Sequence, residues 1–344
     1  SQLAKVMSGS DEKTAIASAK AMGQIASPEA SAVLSKSLGQ ASGELKNQIG
    51  FSLLNCADKN LANRDSQAAA KVYDQLIQAE LALPIRQAAI RGRIASSGDM
   101  ARNVIVDALN DNNTDWYAPA IAMVKDYFDT STIQEVCALL PNLPAENQVQ
   151  LLEVLSQFRD EGVLTSVLEA AKSPDLAVRV AALKALESAG NYTVVEFLVS
   201  NAAQSKGIEQ IAARNSLWGL RCGRANPAVL TNLVKNLDET IQHELILAVG
   251  ERRIKEGLHL LISRARYSSD RNRQQAIRGL KNIAAPSDLP LLVSLLSGLN
   301  KDTDRLEMAS SIASVANRSP QATGRARAVI EELESMTDVK GRCA

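Results

Sequence analysis

A segment near the middle of the chain returns twice at almost the same distance. Ile85-Arg86-Gln87-Ala88-Ala89-Ile90-Arg91-Gly92 resembles Val178-Arg179-Val180-Ala181-Ala182-Leu183-Lys184-Ala185, and both resemble Asn272-Arg273-Gln274-Gln275-Ala276-Ile277-Arg278-Gly279. Each copy carries Arg three residues before Ala, then Ile or Leu, a cation, and Gly or Ala. Ala89, Ala182 and Ala276 stand 93 and 94 residues apart, or three periods of about 31. A period of this length constrains the fold before any local reading does, because each copy must be one supersecondary unit stacked on the next.

The intervening copies fall into the gaps. Ala120 and Leu151 divide the interval from Ala89 to Ala182 into steps of 31, and Ser216, Leu247 and Ser311 continue the series. Ser18 and Gly50 extend it backward, giving ten anchors over 293 residues. Each period holds two amphipathic helices. In the clearest copy Val178, Ala181, Ala182, Ala185, Leu186 and Ala189 form one helical stripe, and Val194, Val195, Leu198 and Ala202 form a second. Ser173-Pro174-Asp175 reads as the N-terminal punctuation of the first helix, and Gly190-Asn191 as its left-handed end. Ser27-Pro28-Glu29, Asn226-Pro227 and Ser287-Asp288 repeat the starting signal. No window shows the period-two alternation of strands.

The alanines have a physical reason. Helices pack 8–10 Å apart depending on what lies between them, and Ala or Gly permits the lower end. A stack built this way needs few aromatics, which fits 3% aromatic residues in a chain that is 46% hydrophobic. One repeat array over residues 1–344 is therefore expected in place of several globules. Stepping 32 residues from Ser311 lands on Cys343, so the chain is expected to stop inside the first helix of an eleventh repeat. Val329, Ile330, Leu333 and Met336 would then lack a covering partner.

The tetratricopeptide and ankyrin signatures are absent from the sequence. Asp175, Val178, Arg179, Ala181, Ala182, Ala185, Leu186 and Gly190 instead resemble, position by position, the short HEAT-like repeat of the bilin-lyase type. The resemblance implies an all-α fold, a right-handed α-α superhelix of about ten helical hairpins. In its wider texture the chain is also similar to HEAT arrays of secreted or periplasmic bacterial proteins that adjoin a jelly-roll sugar-hydrolase domain.

Catalytic chemistry finds little support. His243-Glu244 opens like a zinc-protease helix motif, but Leu247 stands where the second His belongs. No nucleophile elbow and no phosphate-cradling Gly-rich loop occurs. Cys56, Cys137, Cys222 and Cys343 are too widely spaced for a metal pair or a disulfide framework. No metal and no cofactor is implied, and no stretch is long and apolar enough to span a membrane. Arg86, Arg179 and Arg273 read as partners of a helix-start carboxylate such as Asp175, or of a neighbouring repeat.

Two features point to partners. The 38 cations and 38 carboxylates balance over the chain, yet residues 251–281 hold nine cations against three carboxylates. Arg252, Arg253, Arg264 and Arg266 there are candidates for an acidic partner. Nucleic acid is the weakest such partner, for want of aromatics to stack bases. Trp116 and Tyr117 belong to the densest aromatic group, with Tyr127 and Phe128, and are candidate interface anchors. Pro119 is expected to delay or bend their helix. The chain thus reads as a non-catalytic protein-interaction or spacer scaffold from a larger multidomain protein, its concave surface built from the second helices. The alternative is an accessory region of a carbohydrate-active polypeptide.

Overall fold

Each of the ten anchors lies in an α-helix of its own. The computed structural model describes residues 2–9, 11–111 and 113–319, together with Arg327, Ile330, Glu331 and Glu334. Twenty α-helices and no strand occur among these residues, as the repeat pattern requires. Residues 339–344, and with them the expected eleventh repeat, lie outside the described residues. So do Val329, Leu333 and Met336, while Ile330 is helical and exposed.

The chain divides into two compact units, Ser1–Ser166 and Val167–Ala344, with the boundary inside a helix, α11 (Glu161–Ala170). The first unit opens with α1 (Gln2–Gly9) and continues in pairs: α2 (Glu12–Ile25) with α3 (Pro28–Leu38), and α4 (Gly43–Ala62) with α5 (Ser66–Gln78). Then come α6 (Leu83–Ala95) with α7 (Ala101–Asn110), α8 (Thr114–Tyr127) with α9 (Gln134–Cys137), and α10 (Ala145–Leu155). The second unit pairs α12 (Leu176–Ala189) with α13 (Val195–Gln204), and α14 (Gly207–Gly219) with α15 (Ala225–Lys235). It ends with α16 (Glu239–Glu251) and α17 (Leu258–Tyr267), α18 (Asp270–Ile283) and α19 (Leu289–Ser297), and α20 (Asp302–Ala316). Within each unit consecutive first helices pack on one another, α2 on α4 on α6 on α8 on α10, and α12 on α14 on α16 on α18 on α20.

The anchors sit where those first helices meet. Ala89, Ala120, Leu151, Ala182, Ala276 and Ser311 are fully buried, and only Leu247 is half-buried, with Ala248 buried beside it. Where the anchor is serine, its hydroxyl finds a backbone carbonyl. Ser216 Oγ donates to Leu183 O at 2.7 Å, and Ser18 Oγ to Leu3 O at 2.7 Å. Ser311 Oγ lies 3.4 Å from Ile277 O and 3.0 Å from Glu307 O. Leu183 and Ile277 each follow the preceding anchor by one residue, so a small hydroxyl replaces the Ala methyl without leaving a buried polar group unmet. Glycine allows the tightest crossings. A Cβ on Gly23 would stand 2.7 Å from Ser52 Cα, and one on Gly250 would stand 3.0 Å from Gly279 Cα.

Local punctuation departs from the sequence reading at several points. Ser27 caps α3 with Pro28 in its first turn, as expected. At Ser173-Pro174-Asp175, however, the cap is Asp175, whose carboxylate accepts from Ala177 N and Val178 N and so starts the helix at Leu176. Gly190 leaves α12 in an extended conformation, not the left-handed one. Asn226-Pro227 lies inside the first turn of α15, whose cap is Arg224. Helix α8 does not start late, and it carries Pro119 in its interior. The irregularity falls instead on its partner, since α9 has only four residues and is followed by a 3-10 turn at Leu140–Asn142.

The packing makes a direct prediction. Ala182→Leu, which must force α12 away from α14, should cost roughly 1–3 kcal/mol. Lys184→Ala, on an exposed position two residues away, should cost less than about 0.5 kcal/mol. Thermal melts of the two variants check this, and equal shifts would mean that the register is wrong.

Candidate interaction surfaces

The recurrent arginines lie in the gap between successive first helices. Arg179 of α12 grips Glu209 of α14 with two bonds, Nε to Oε1 at 2.8 Å and Nη2 to Oε2 at 3.2 Å. Its remaining nitrogen, Nη1, donates to Ser173 O and Pro174 O at 2.9 and 3.0 Å. Arg214 of α14 holds Glu244 of α16 in the same fork, at 2.7 and 2.6 Å. Arg273 of α18 reaches Asp304 of α20 at 2.7 Å and also bonds Asp270. In the first unit Arg86 of α6 pairs with Asp115 of α8. The partner is thus a carboxylate on the next repeat, about 30 residues on, while Asp175 is consumed as a helix cap. These guanidiniums fix the register of the stack and are not presented to a ligand.

A second set of cations closes the other end of the first helices. Lys59 Nζ donates to Ile25 O at 2.9 Å, at the end of α2. Arg252 reaches back to Leu217 O and Trp218 O, both at 2.8 Å, and to Leu220 O at 3.2 Å, capping α14. Arg318 does the same for α18 through Ala284 O and Lys281 O. Each cation meets the negative end of a helix whose last carbonyls would otherwise go unpaired. Arg264 Nη2 likewise donates to Leu233 O at 2.9 Å, at the end of α15.

These bonds sort the candidate residues. Arg252 and Arg264 are half-buried and committed to carbonyls, whereas Arg253 and Arg266 are exposed. Of the other cations in residues 251–281, Arg278 faces Glu307 at 3.6 Å, and Lys255, Arg271 and Lys281 are exposed. Tyr117 is buried, because Tyr117, Ala120, Ile121, Val124 and Phe128 form the inward stripe of α8 and its C-cap. Trp116, one residue earlier, stays half-buried at the edge of that stripe. Two of the four aromatics, Tyr117 and Phe128, are therefore core, and Tyr127 is half-buried like Trp116, so Tyr117 is withdrawn from the surface.

Groups with reactive chemistry are also tied into packing. Burial pushes the Cys56 and Cys137 thiols up from their ordinary value. His259 is exposed, whereas His243 is buried, with Nδ1 3.2 Å from Asn272 Oδ1. Asn272 gives its amide to Glu239 O at 3.0 Å, which leaves Oδ1 as the acceptor and His243 Nδ1 as the donor. Among the described residues no group of three or more His, Cys, Asp or Glu side chains is placed to hold a metal ion. The described surface includes these two open hollows. One of about 500 Å³ lies between α13 and α15, lined by Tyr192, Glu196, Arg224, Pro227 and Thr231, with the Arg224 guanidinium 5.3 Å from the Tyr192 ring centre. The other, of about 360 Å³, is lined by Leu54, Asp58, Tyr73, Arg91 and Met123.

The turns of the second unit also carry apolar side chains, which the charge pattern does not reveal. Leu237 is 88% exposed and Tyr267 82%, the two highest values among the large apolar side chains described. The available signal was an apolar residue between Asn236 and Asp238, in a turn where capping residues belong.

Two predictions follow from this geometry. The Glu244 carboxylate is buried, so Arg214→Met should destabilise the chain by roughly 3 kcal/mol, the low end for a broken buried pair because Arg214 stays partly wet. The double variant Arg214→Met/Glu244→Leu should recover most of that loss in chemical denaturation. For His243, burial first, and then nearby Arg271, lowers the imidazole below its ordinary 6.5. The unfolded chain then takes up the proton more readily, so stability is full above about 6.5 and is lost as pH falls below it. His243→Gln should flatten the fall in melting temperature between about pH 7 and pH 5.

No family model matches the chain, and no curated protein matches it. Solved structures do. The crystal structure of Kap121p matches with a TM-score of 0.58 at 12% identity, covering 99% of this chain and 44% of that one. Kap95p, the yeast importin-β, in its complex with RanGDP matches with a TM-score of 0.57 at 12% identity, covering 98% of this chain and 55% of that one. The chain therefore spans about half the length of these two structures. Its fold is the all-α stack of HEAT-like hairpins that they share.

Proposed function

We propose that the chain is a protein-interaction scaffold and not an enzyme, a repeat region that presents docking surfaces within a larger multidomain protein. The observation that carries this reading is the fate of its reactive groups. The arginines that recur with the repeat are spent on neighbouring carboxylates and helix ends, and the described cysteines and His243 serve packing. What the frame leaves free is display: Leu176, Ile208, Ile211, Leu237 and Tyr267 are exposed along the second unit. Scattered single apolar residues are ordinary on a surface, but several at comparable places in successive repeats resemble a contact face. Kap95p, similar in fold, is described in a complex with RanGDP, which supports a protein partner for this kind of stack. Trp116, Arg253 and Arg266 remain partner-contact residues in this reading, with an acidic surface as the partner of the 251–281 segment. The accessory-carbohydrate alternative draws no support from the two matched structures.

In-cell cross-linking and mass spectrometry on a tagged chain, in the organism of origin, tests the proposal. The expected result is a defined protein partner, retained when His243, His259 and the cysteines are replaced. Turnover of a small substrate that disappears with any of those residues would overturn it.

A further inference from the structure

The most exposed apolar side chains of the second unit stand on two turns that hydrogen bonds join on both sides. Leu237 lies in the turn between α15 and α16, and Tyr267 ends α17, 30 residues later and at an equivalent place in the next repeat. Arg264 Nη2 donates to Leu233 O at 2.9 Å, which joins the last turn of α17 to the last turn of α15. Asn272 Nδ2 donates to Glu239 O at 3.0 Å, which joins the start of α18 to the start of α16. The segments 233–239 and 264–272 are thus pinned side by side at both ends, with Leu237 and Tyr267 held between the two pins. Val234, on the first of these segments, is also exposed. A lone exposed leucine calls for no explanation, but two side chains more than four-fifths exposed on turns bonded to each other offer apolar surface that a single partner segment can cover.

Charge distinguishes the occupants. Seven charged residues lie on these two segments. Asp238 is spent capping α16 through Thr240 N and Ile241 N, Asp270 bonds Arg273 and Lys301, and Arg264 is bound to Leu233 O. Those left exposed with no opposite charge bonded to them are Lys235, Arg266 and Arg271 against Glu239 and the capping Asp238, an excess of one cation. The patch is therefore apolar at its centre and cationic at its rim, complementary to an apolar side chain flanked by carboxylates.

We propose that the adjacent turns 233–239 and 264–272 dock an acidic peptide segment of a partner protein, which lays a bulky apolar side chain on Leu237 and Tyr267 and sets carboxylates against Lys235, Arg266 and Arg271. The proposal rests on the scaffold reading and names the surface and the chemistry of one partner. Both apolar side chains point to solvent, so Leu237→Ser/Tyr267→Ser should fold and melt as the parent does.

Panning a phage-displayed library of random dodecapeptides on the full chain, followed by anisotropy titration of the enriched peptide, tests it. Enriched peptides should combine Leu, Phe or Trp with Asp or Glu. Their binding should weaken at least tenfold or so in Leu237→Ser/Tyr267→Ser, and in Arg266→Glu/Arg271→Glu, and should fall as salt is raised. No enrichment, enrichment of basic peptides, or binding indifferent to Leu237→Ser/Tyr267→Ser would overturn it. Sedimentation showing a dimer that this double variant dissolves would also overturn it, by giving the patch to a second copy of the chain. If the cross-linked partner is captured undiminished by Leu237→Ser/Tyr267→Ser, the scaffold reading stands and this surface alone fails.

Discussion

Close approach between consecutive first helices is the constraint on which the rest of the molecule depends. Small residues at the anchors permit it, and the serine anchors extend it by meeting backbone carbonyls of the preceding helix. Apolar contact of this kind is strong but has no direction, so a smooth alanine stripe would let one helix slide along the next. The arginine forks remove that freedom. A bidentate bond such as Arg179 to Glu209 or Arg214 to Glu244 is satisfied in one register and lost in its neighbours. Burial thus supplies the attraction and the ion pairs supply the alignment.

The same division accounts for the charge pattern. A fork consumes one cation and one carboxylate, so a chain stitched this way drifts toward balance, as the 38 of each sign show. Helix-end capping consumes a cation and a carbonyl and needs no carboxylate. Arg252 and Arg264 are of this second type, which is why residues 251–281 hold more cations than carboxylates without being a uniformly positive surface. The excess that faces solvent narrows to Arg253, Lys255, Arg266, Arg271 and Lys281, and only part of it borders an apolar patch.

The hairpin stack was legible in the sequence because its cause is local and repeated. An anchor must be small in nearly every copy, and ten copies in one chain act as an internal alignment. What a guanidinium touches was not legible in the same way. Asp175 and Glu209 are equally plausible partners of Arg179 on paper, and the choice depends on how the next helix lies. Trp116 and Tyr117 differ by one position, a rotation of about 100° on a helix, and that step separates a half-buried side chain from a core one. Leu237 escaped notice for a related reason: pattern reading assigns turns by their polar residues, and exposure there is set by tertiary neighbours.

The repeats also show where function has room to reside. Among the described residues, first helices keep to 11–20 residues and share the anchor position, with arginine–carboxylate pairs joining several of them, whereas second helices range from 4 to 13. A substitution in a first helix is felt by the helices on either side, so the frame tolerates little variety. A turn between a second helix and the next first helix has fewer demands on it, chief among them its cap, as Asp238 provides for α16. Side chains beside such a cap are drawn into the core in some copies, as Leu81, Leu143 and Leu299 are, and left in solvent in others. Leu237 sits immediately before one cap and Tyr267 two residues before another, Ser269, where stacking asks nothing of them. In a fold whose interior is this repetitive, the residues that set one repeat apart from the next are the ones with freedom to specify a partner, and here the most exposed of them stand on two adjacent turns.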